Sequence, residues 1–281
     1  MKRRKKVSLL YIAAVILFLI LTLGPFVWAF IVSVTPEYEM FKNTVGMLPK
    51  EMTWNNYEML LDVNSSQHIR LFTGLANSMK AVGCTILFGV PIALVSGYVL
   101  TRMEFPGKKF IRNSLLITMV IPIFATIIPL FRIFVDKGLL NNTFWLSMVY
   151  VSSFLPMNVW LISNYFATIP KELEEAARVD GCGRIHTFFK IILPISYPVI
   201  FSSILIMFLS GWSQFQIPLI LASSAETKPV AIVTSEFMTK DMVQYGVTAA
   251  AGLLAVIPPA IVALIFRKFL VAGMTKGSTK G

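Results

Sequence analysis

The residues with chemistry to offer lie in two stretches. The first is Ala167 to Pro194, ATIPKELEEAARVDGCGRIHTFFKIILP, which sets Lys171, Glu172, Glu174, Glu175, Arg178, Asp180, Arg184 and Lys190 between two long apolar segments. The second is GWSQFQ, where Trp212, Ser213, Gln214 and Gln216 put uncharged hydrogen-bonding groups into an otherwise apolar run. Neither is built as a reaction centre. A nucleophile needs an adjacent base, and no such set occurs; His68 and His186 fall in different loops and read as ordinary loop residues. Cys84 lies in an apolar span and Cys182 in the charged loop, so a disulfide between them is implausible and no zinc-type cluster forms. No Gly-x-x-x-x-Gly-Lys-Ser/Thr phosphate loop is present, so ATP cannot be hydrolysed here by that route. The expectation is a chain with no catalytic residue, no metal and no cofactor of its own.

The charged stretch cannot lie in hydrocarbon and reads as a structured loop in water. Pro170 suits a first helical turn, where its missing N–H costs nothing. Glu172, Glu174 and Glu175 come next, favourable near a helix N-terminus. Leu173, Ala176, Ala177 and Asp180 recur at helical spacing. Gly181 then sits where a left-handed C-terminal residue is wanted. These features predict a helix of about three turns, roughly 15 Å long, on the membrane surface. The small side chains of Ala176 and Ala177 would let another backbone come close. Gly181 and Gly183 turn the chain, and a second amphipathic run (Ile185, Phe188, Phe189, Ile192) leads to Pro194.

The elements that must hold this loop are membrane spans. The chain has 281 residues, 56% of them hydrophobic, and a mean hydropathy of +0.73, which excludes an ordinary soluble globule. Its net charge of +11 could suggest nucleic acid, but the basic residues cluster at the ends of apolar segments, as topology determinants do. We therefore expect residues 1–8 as a basic N-terminus and 9–34 as the first span, too long for a signal-peptide core. A polar external loop comes next over 35–72, then a five-span core over 73–270 that contains the loop 167–194, and a tail over 271–281. The second span is expected over about 73–99, with Gly74, Gly83, Gly89 and Gly97 allowing close helix packing. The third runs over about 110–134, kinked by Pro122 and Pro129. The fourth, over 143–166, is interrupted by Pro156 and Asn158, and the fifth runs over 195–222. The sixth covers 246–266, with Pro258 and Pro259 in its second half. Asn158, Trp212, Ser213, Gln214 and Gln216 are candidates either to line a pathway or to bond between helices.

Basic residues test this arrangement independently. The segments assigned to the inside carry more than twice as many Lys and Arg as those outside, although the longest loop is outside. The charge pattern gives six spans with both termini cytoplasmic and the charged loop in the cytoplasm, and we expect an all-α integral protein of the plasma or inner membrane.

Glu175-Ala176-Ala177, then Gly181, then Ile191-x-Leu193-Pro194 resembles the EAA motif of ABC importer permeases. The phrase Leu48-Pro49 with Trp54-Asn55-Asn56-Tyr57 resembles the first external loop of the sugar-importer group, and Gly273, Gly277, Lys280 and Gly281 resemble its glycine-rich terminus. Where related permeases often carry Trp-Asn-x-Phe, this chain has Trp212-Ser213-Gln214-Phe215. The resemblance covers nearly the whole chain and is closest to the smaller maltose-type permease. It implies the type I importer fold and a coupling helix that docks in a cleft of a cytoplasmic ATPase. Glu172, Glu175, Ala176, Ala177, Asp180, Gly181, Ile191, Leu193 and Pro194 would serve that coupling, and the tail would touch the ATPase pair. The implied partners are a second permease, two ATP-binding subunits that bind the ATP, and an extracellular solute-binding protein that delivers a sugar or oligosaccharide; no nucleic acid is implied. An ABC permease for a polyamine, amino acid or glycerol phosphate stays open, as does an ion-coupled secondary transporter, although the spans hold almost no buried acids.

Overall fold

The computed structural model describes residues 9–42, 48–238 and 244–275. Those residues form helices and connecting segments in the order α1 (Leu9–Ser33), α2 (Glu37–Lys42), α3 (Asn55–Leu61), α4 (Ser66–Arg102), α5 (Lys108–Thr118), α6 (Ile123–Asp136) and α7 (Thr143–Thr168). Next come α8 (Glu172–Val179), α9 (Arg184–Thr187), a π-helical turn (Phe188–Ile192), α10 (Leu193–Ile195), α11 (Tyr197–Trp212), α12 (Gln216–Leu221), α13 (Val230–Glu236) and α14 (Tyr245–Thr275). Four helices, α1, α4, α7 and α14, are long and apolar enough to cross a bilayer; the number rises to six if each of two bent helix pairs makes one span.

The bends refine the expected spans. The third is not a kinked rod: α5 and α6 meet at 97°. Pro122 stands as the N-cap of α6 with extended backbone. Proline supplies no N–H and disfavours helical geometry in the residue before it, so the helix stops at Thr118 and restarts. Pro129 lies within α6 without a break. The fifth span begins at Tyr197, where the preceding helical segment bends by 77°. It ends at Trp212, and α12 resumes at Gln216 rather than continuing one rod to Ala222. The second span is longer than expected, because α4 starts at Ser66 in the nominal loop.

The chain divides into two compact units, residues 1–71 with 233–256, and residues 72–232 with 257–281. In the first, Asn56 Nδ2 donates to the Ser33 carbonyl at 2.9 Å, Ser33 and Tyr57 share a hydroxyl hydrogen bond of 2.8 Å, and the Thr53 N–H returns to Val34 O. These bonds end α1 against α3. The side chains of α1 are largely exposed, as expected of a helix facing hydrocarbon.

The second unit holds the core. Val90, Ala93, Leu94 and Tyr98 of α4 pack with Val159, Ile162 and Phe166 of α7 and Met207 of α11. Glycine sets one of these approaches. A Cβ on Gly97 would meet Ile162 Cγ2 at 2.7 Å and the Ser163 backbone nitrogen at 3.4 Å, whereas nothing lies within 4 Å of a Cβ on Gly83. At the same crossing Thr101 Oγ1 donates to both Gly97 O and Ser163 O. Gly97→Val should therefore lower stability by roughly 1–3 kcal/mol through overpacking, read as a lower thermal transition in detergent, while Gly83→Ala leaves the transition unchanged.

Candidate coupling site

The loop after α7 is a capped helix pinned from below. α8 is eight residues long, shorter than the three turns expected. Lys171 takes the N-cap position, its carbonyl accepting from the N–H groups of Glu174 and Glu175, so Pro170 lies just outside the helix rather than in its first turn. Its C-terminus matches the sequence expectation closely. Gly181 has φ +81°, its N–H donates to Arg178 O, and the Cys182 N–H donates to Ala177 O at 2.8 Å. Those two bonds make a Schellman cap, which needs the left-handed residue that glycine supplies without a Cβ penalty.

The two alanines part company. Ala177 is buried against its own chain, while Ala176 is exposed. Glu172, Glu175 and Asp180 are also exposed. Apolar side chains stand out beside them: Val179 is 88% and Ile185 77% exposed. Beyond the turn, Phe188 and Ile192 go into the core, whereas Phe189 and Pro194 stay outside and Ile191 and Leu193 are half-buried. The loop thus offers an outward face of acids, one small residue and unpaired apolar groups.

Its inward attachment was not apparent from the sequence. Arg102, the last residue of α4, has a side chain only 5% exposed. Its Nη2 donates to Phe166 O at 2.9 Å and Ile169 O at 2.6 Å, at the end of α7. Its Nε lies 2.8 Å from Glu174 Oε1, an ion pair without the alignment of a linear hydrogen bond. Tyr98, one turn earlier on the same face of α4, donates its hydroxyl to Glu174 Oε2 at 3.2 Å. The Tyr98 ring lies 4.8 Å from that of Phe188. One arginine and one tyrosine of α4 therefore fasten α8, the end of α7 and the turn that leads to α11. Read alone, Arg102 is one more basic residue at the end of a span and Glu174 one more acid in a first helical turn. The signal that could have singled them out is the four-residue spacing of Tyr98 and Arg102.

The other candidates lie apart from this loop. Asn158 is fully buried: its amide donates to Phe154 O, and its Oδ1 accepts from Ser203 Oγ at 2.7 Å, tying α7 to α11. Trp212 is buried and stacks on Phe208 at 5.5 Å. Ser213 is exposed, and Gln214 and Gln216 are half-buried, at the break between α11 and α12. There Gln214 Oε1 accepts from the Gln216 N–H. Gly273 lies in α14, while Gly277, Lys280 and Gly281 fall outside the described residues. The residues that order the far end of the same unit were also missed. Asn141, with φ +56°, accepts from the N–H groups of Ser223 and Ser224, and Asn77 donates to Glu226 O and Lys228 O.

Glu174→Ala leaves the Arg102 guanidinium buried without its carboxylate. It should cost about 3 kcal/mol and lower the thermal transition in detergent by several degrees, whereas the exposed Glu175→Ala should not move it.

Residues 89–276 match the family described as the binding-protein-dependent transport system inner membrane component. The trehalose/maltose transport system permease protein MalG of Thermococcus litoralis is 31% identical over 97% of both chains. The diacetylchitobiose uptake system permease protein DasC of Streptomyces coelicolor is 27% identical over 96% of both. The galactooligosaccharides transport system permease protein GanQ of Bacillus subtilis is 28% identical over 100% of this chain and 99% of its own. Among solved structures, a chain of a bacterial ABC transporter involved in import of the acidic polysaccharide alginate shares the fold. Its TM-score is 0.74 at 23% identity, over 94% of this chain and 99% of that one.

Proposed function

This chain belongs to the family of binding-protein-dependent transport system inner membrane components, and on that premise we propose that it is the smaller permease subunit of an ATP-driven importer for a sugar or oligosaccharide. As a permease of an ABC importer it is a multi-pass membrane protein and not an enzyme, and it works with ABC partners. The ion-coupled reading is set aside by this membership. A carbohydrate solute is supported by the relatives, whose names give trehalose/maltose, diacetylchitobiose and galactooligosaccharides.

The observation that carries the mechanism is the two-sidedness of α8. Outward, Glu172, Glu175, Ala176 and the apolar Val179 and Ile185 are free to meet a partner surface. Inward, Glu174 holds the helix to Arg102 and Tyr98 of α4, Arg102 in turn holds the end of α7, and Ala177 is buried. A force on the outer face is thereby delivered to two long helices. In our reading the outer face docks on one of two cytoplasmic ATPase subunits, both chain termini lie on that side, and Gly273, Gly277, Lys280 and Gly281 touch the ATPase pair. ATP binds those subunits. A ligand shifts a two-state equilibrium only through unequal affinity for the states, so the ATPases must grip α8 differently with and without ATP. A second permease completes the path, and an extracellular binding protein delivers the sugar. On this chain the path would be touched by Ser213, Gln214 and Gln216 at the helix break, where backbone and amide groups are not all spent within a helix.

Purification from the native membrane in mild detergent tests the assembly: a second permease and an ATPase should accompany the chain, and a single polypeptide free of ATPase in several detergents would overturn the reading. Ala176→Asp tests the coupling. Because Ala176 is exposed, the variant should insert and melt as the wild type does, yet lose most sugar uptake while the ATPase still turns over. Ala177→Asp is a poorer probe, since it buries a carboxylate.

A further inference from the structure

A second basic site lies beside the ends of α4 and α7. Between the end of α4, α5 and α7 is a cavity of about 240 Å³ whose lining includes Lys108, Arg112, Leu115, Val159, Trp160 and Asn164. Around the start of α5, Lys108, Lys109 and Arg112 also line a wider opening with Glu104 and Phe110. Lys108 is already engaged, donating to Met103 O and Glu104 Oε1. The side chains of Arg112 and Lys109 make no hydrogen bond or salt bridge among the described residues, so the cluster keeps a surplus of positive charge.

α5 itself buries none of its residues. Phe110 is 76% and Ile117 63% exposed, and the helix meets its neighbour at 97° instead of continuing through the bilayer. A short helix with cations in its first turns, exposed apolar side chains and a sharp bend is suited to the boundary between headgroups and acyl chains. Trp160, on α7 beside it, is a residue type enriched at that depth. The cavity therefore offers cations and amide donors at one end and Leu115, Val159 and the indole at the other.

We propose that this cavity binds an anionic phospholipid, its phosphodiester held by Arg112 and the Asn164 amide, with Lys109 at the adjoining opening adding positive charge, and an acyl chain along Leu115 and Val159. Charge complementarity selects the anion, and the apolar floor selects a lipid over a free phosphate. Basic pockets between spans bind anionic headgroups for this reason. The proposal needs only the membrane-spanning fold, not the choice of solute or the coupling mechanism.

The test is native mass spectrometry of the full-length permease with whatever subunits purify with it. The protein is delipidated and then titrated with phosphatidylglycerol or phosphatidylcholine of the same acyl chains. The wild type should retain phosphatidylglycerol preferentially. Arg112→Gln should lower that retention roughly fivefold, the effect of about one cation near a charged headgroup. Asn164→Asp, at an exposed position on another helix, should do the same, and Arg112→Lys should keep most of it. Unchanged thermal transitions establish that the variants fold. Equal retention of the two lipids, or no loss in either Arg112→Gln or Asn164→Asp, would overturn the proposal. Displacement of the lipid by inorganic phosphate alone, or no lipid bound by the wild type because a protein subunit covers the cavity, would overturn it too. Lipid retention is read without transport or ATPase, so failure of the importer reading would leave this result standing.

Discussion

A buried guanidinium at the end of a membrane helix is costly unless every side of it is occupied. Arg102 meets that demand with the Glu174 carboxylate and the carbonyls of Phe166 and Ile169. The rest of this end of the bundle depends on this pairing. Glu174 can reach the arginine only if α8 lies across the ends of α4 and α7. Ala177 must then be small, because that face of α8 is against its own chain. With Ala177 turned inward, Glu172, Glu175 and Ala176 turn outward. A single desolvated ion pair thus decides which face of a short helix is offered to a partner.

The same helix depends on a backbone requirement. Without a residue at φ +81° the chain could not leave α8 and return within three residues to start α9 at Arg184. The Schellman cap at Gly181 satisfies two terminal carbonyls of a helix that is too short to hold itself by propensity. Beyond α9, a π-helical turn brings Phe188 under Tyr98. The loop is thus fastened at both ends, by the cap at Gly181 and by the contact of Phe188 with Tyr98.

Prolines divide the bundle into parts with different duties. Pro122 separates α5 from α6 and leaves α5 in a basic, apolar-edged position near the same end of the bundle. The bend at Ser196 separates the helical segment Arg184–Ile195 from α11. By contrast Pro91 and Pro156 sit inside long helices without ending them, since neighbouring helices can satisfy the freed backbone groups. The effect of a proline here is set by what packs beside it.

Much of the architecture was legible in the sequence because its causes act along the chain. Apolar length foretold α1, α4, α7 and α14, and charge density foretold the loop. Gly181 was legible because the glycine that ends a helix is a local requirement. The mismatch at Pro122 arose because a kink and a break have the same local sequence. Beyond the four-residue spacing of Tyr98 and Arg102, the roles of Glu174, Arg102 and Tyr98, and the division of Ala176 from Ala177, were not legible. Those depend on α4 and α8, about 70 positions apart, arriving at one place, and on which side of α8 is then left dry. Likewise Asn158 reads in the sequence as an amide at mid-span, and only the approach of α11 shows its oxygen already taken by Ser203. Sequence by itself determined what must be in the membrane and what must be in water, because transfer free energy belongs to each segment. Tertiary structure decided which charges are spent on holding the fold and which remain to meet a partner, because that is a property of pairs.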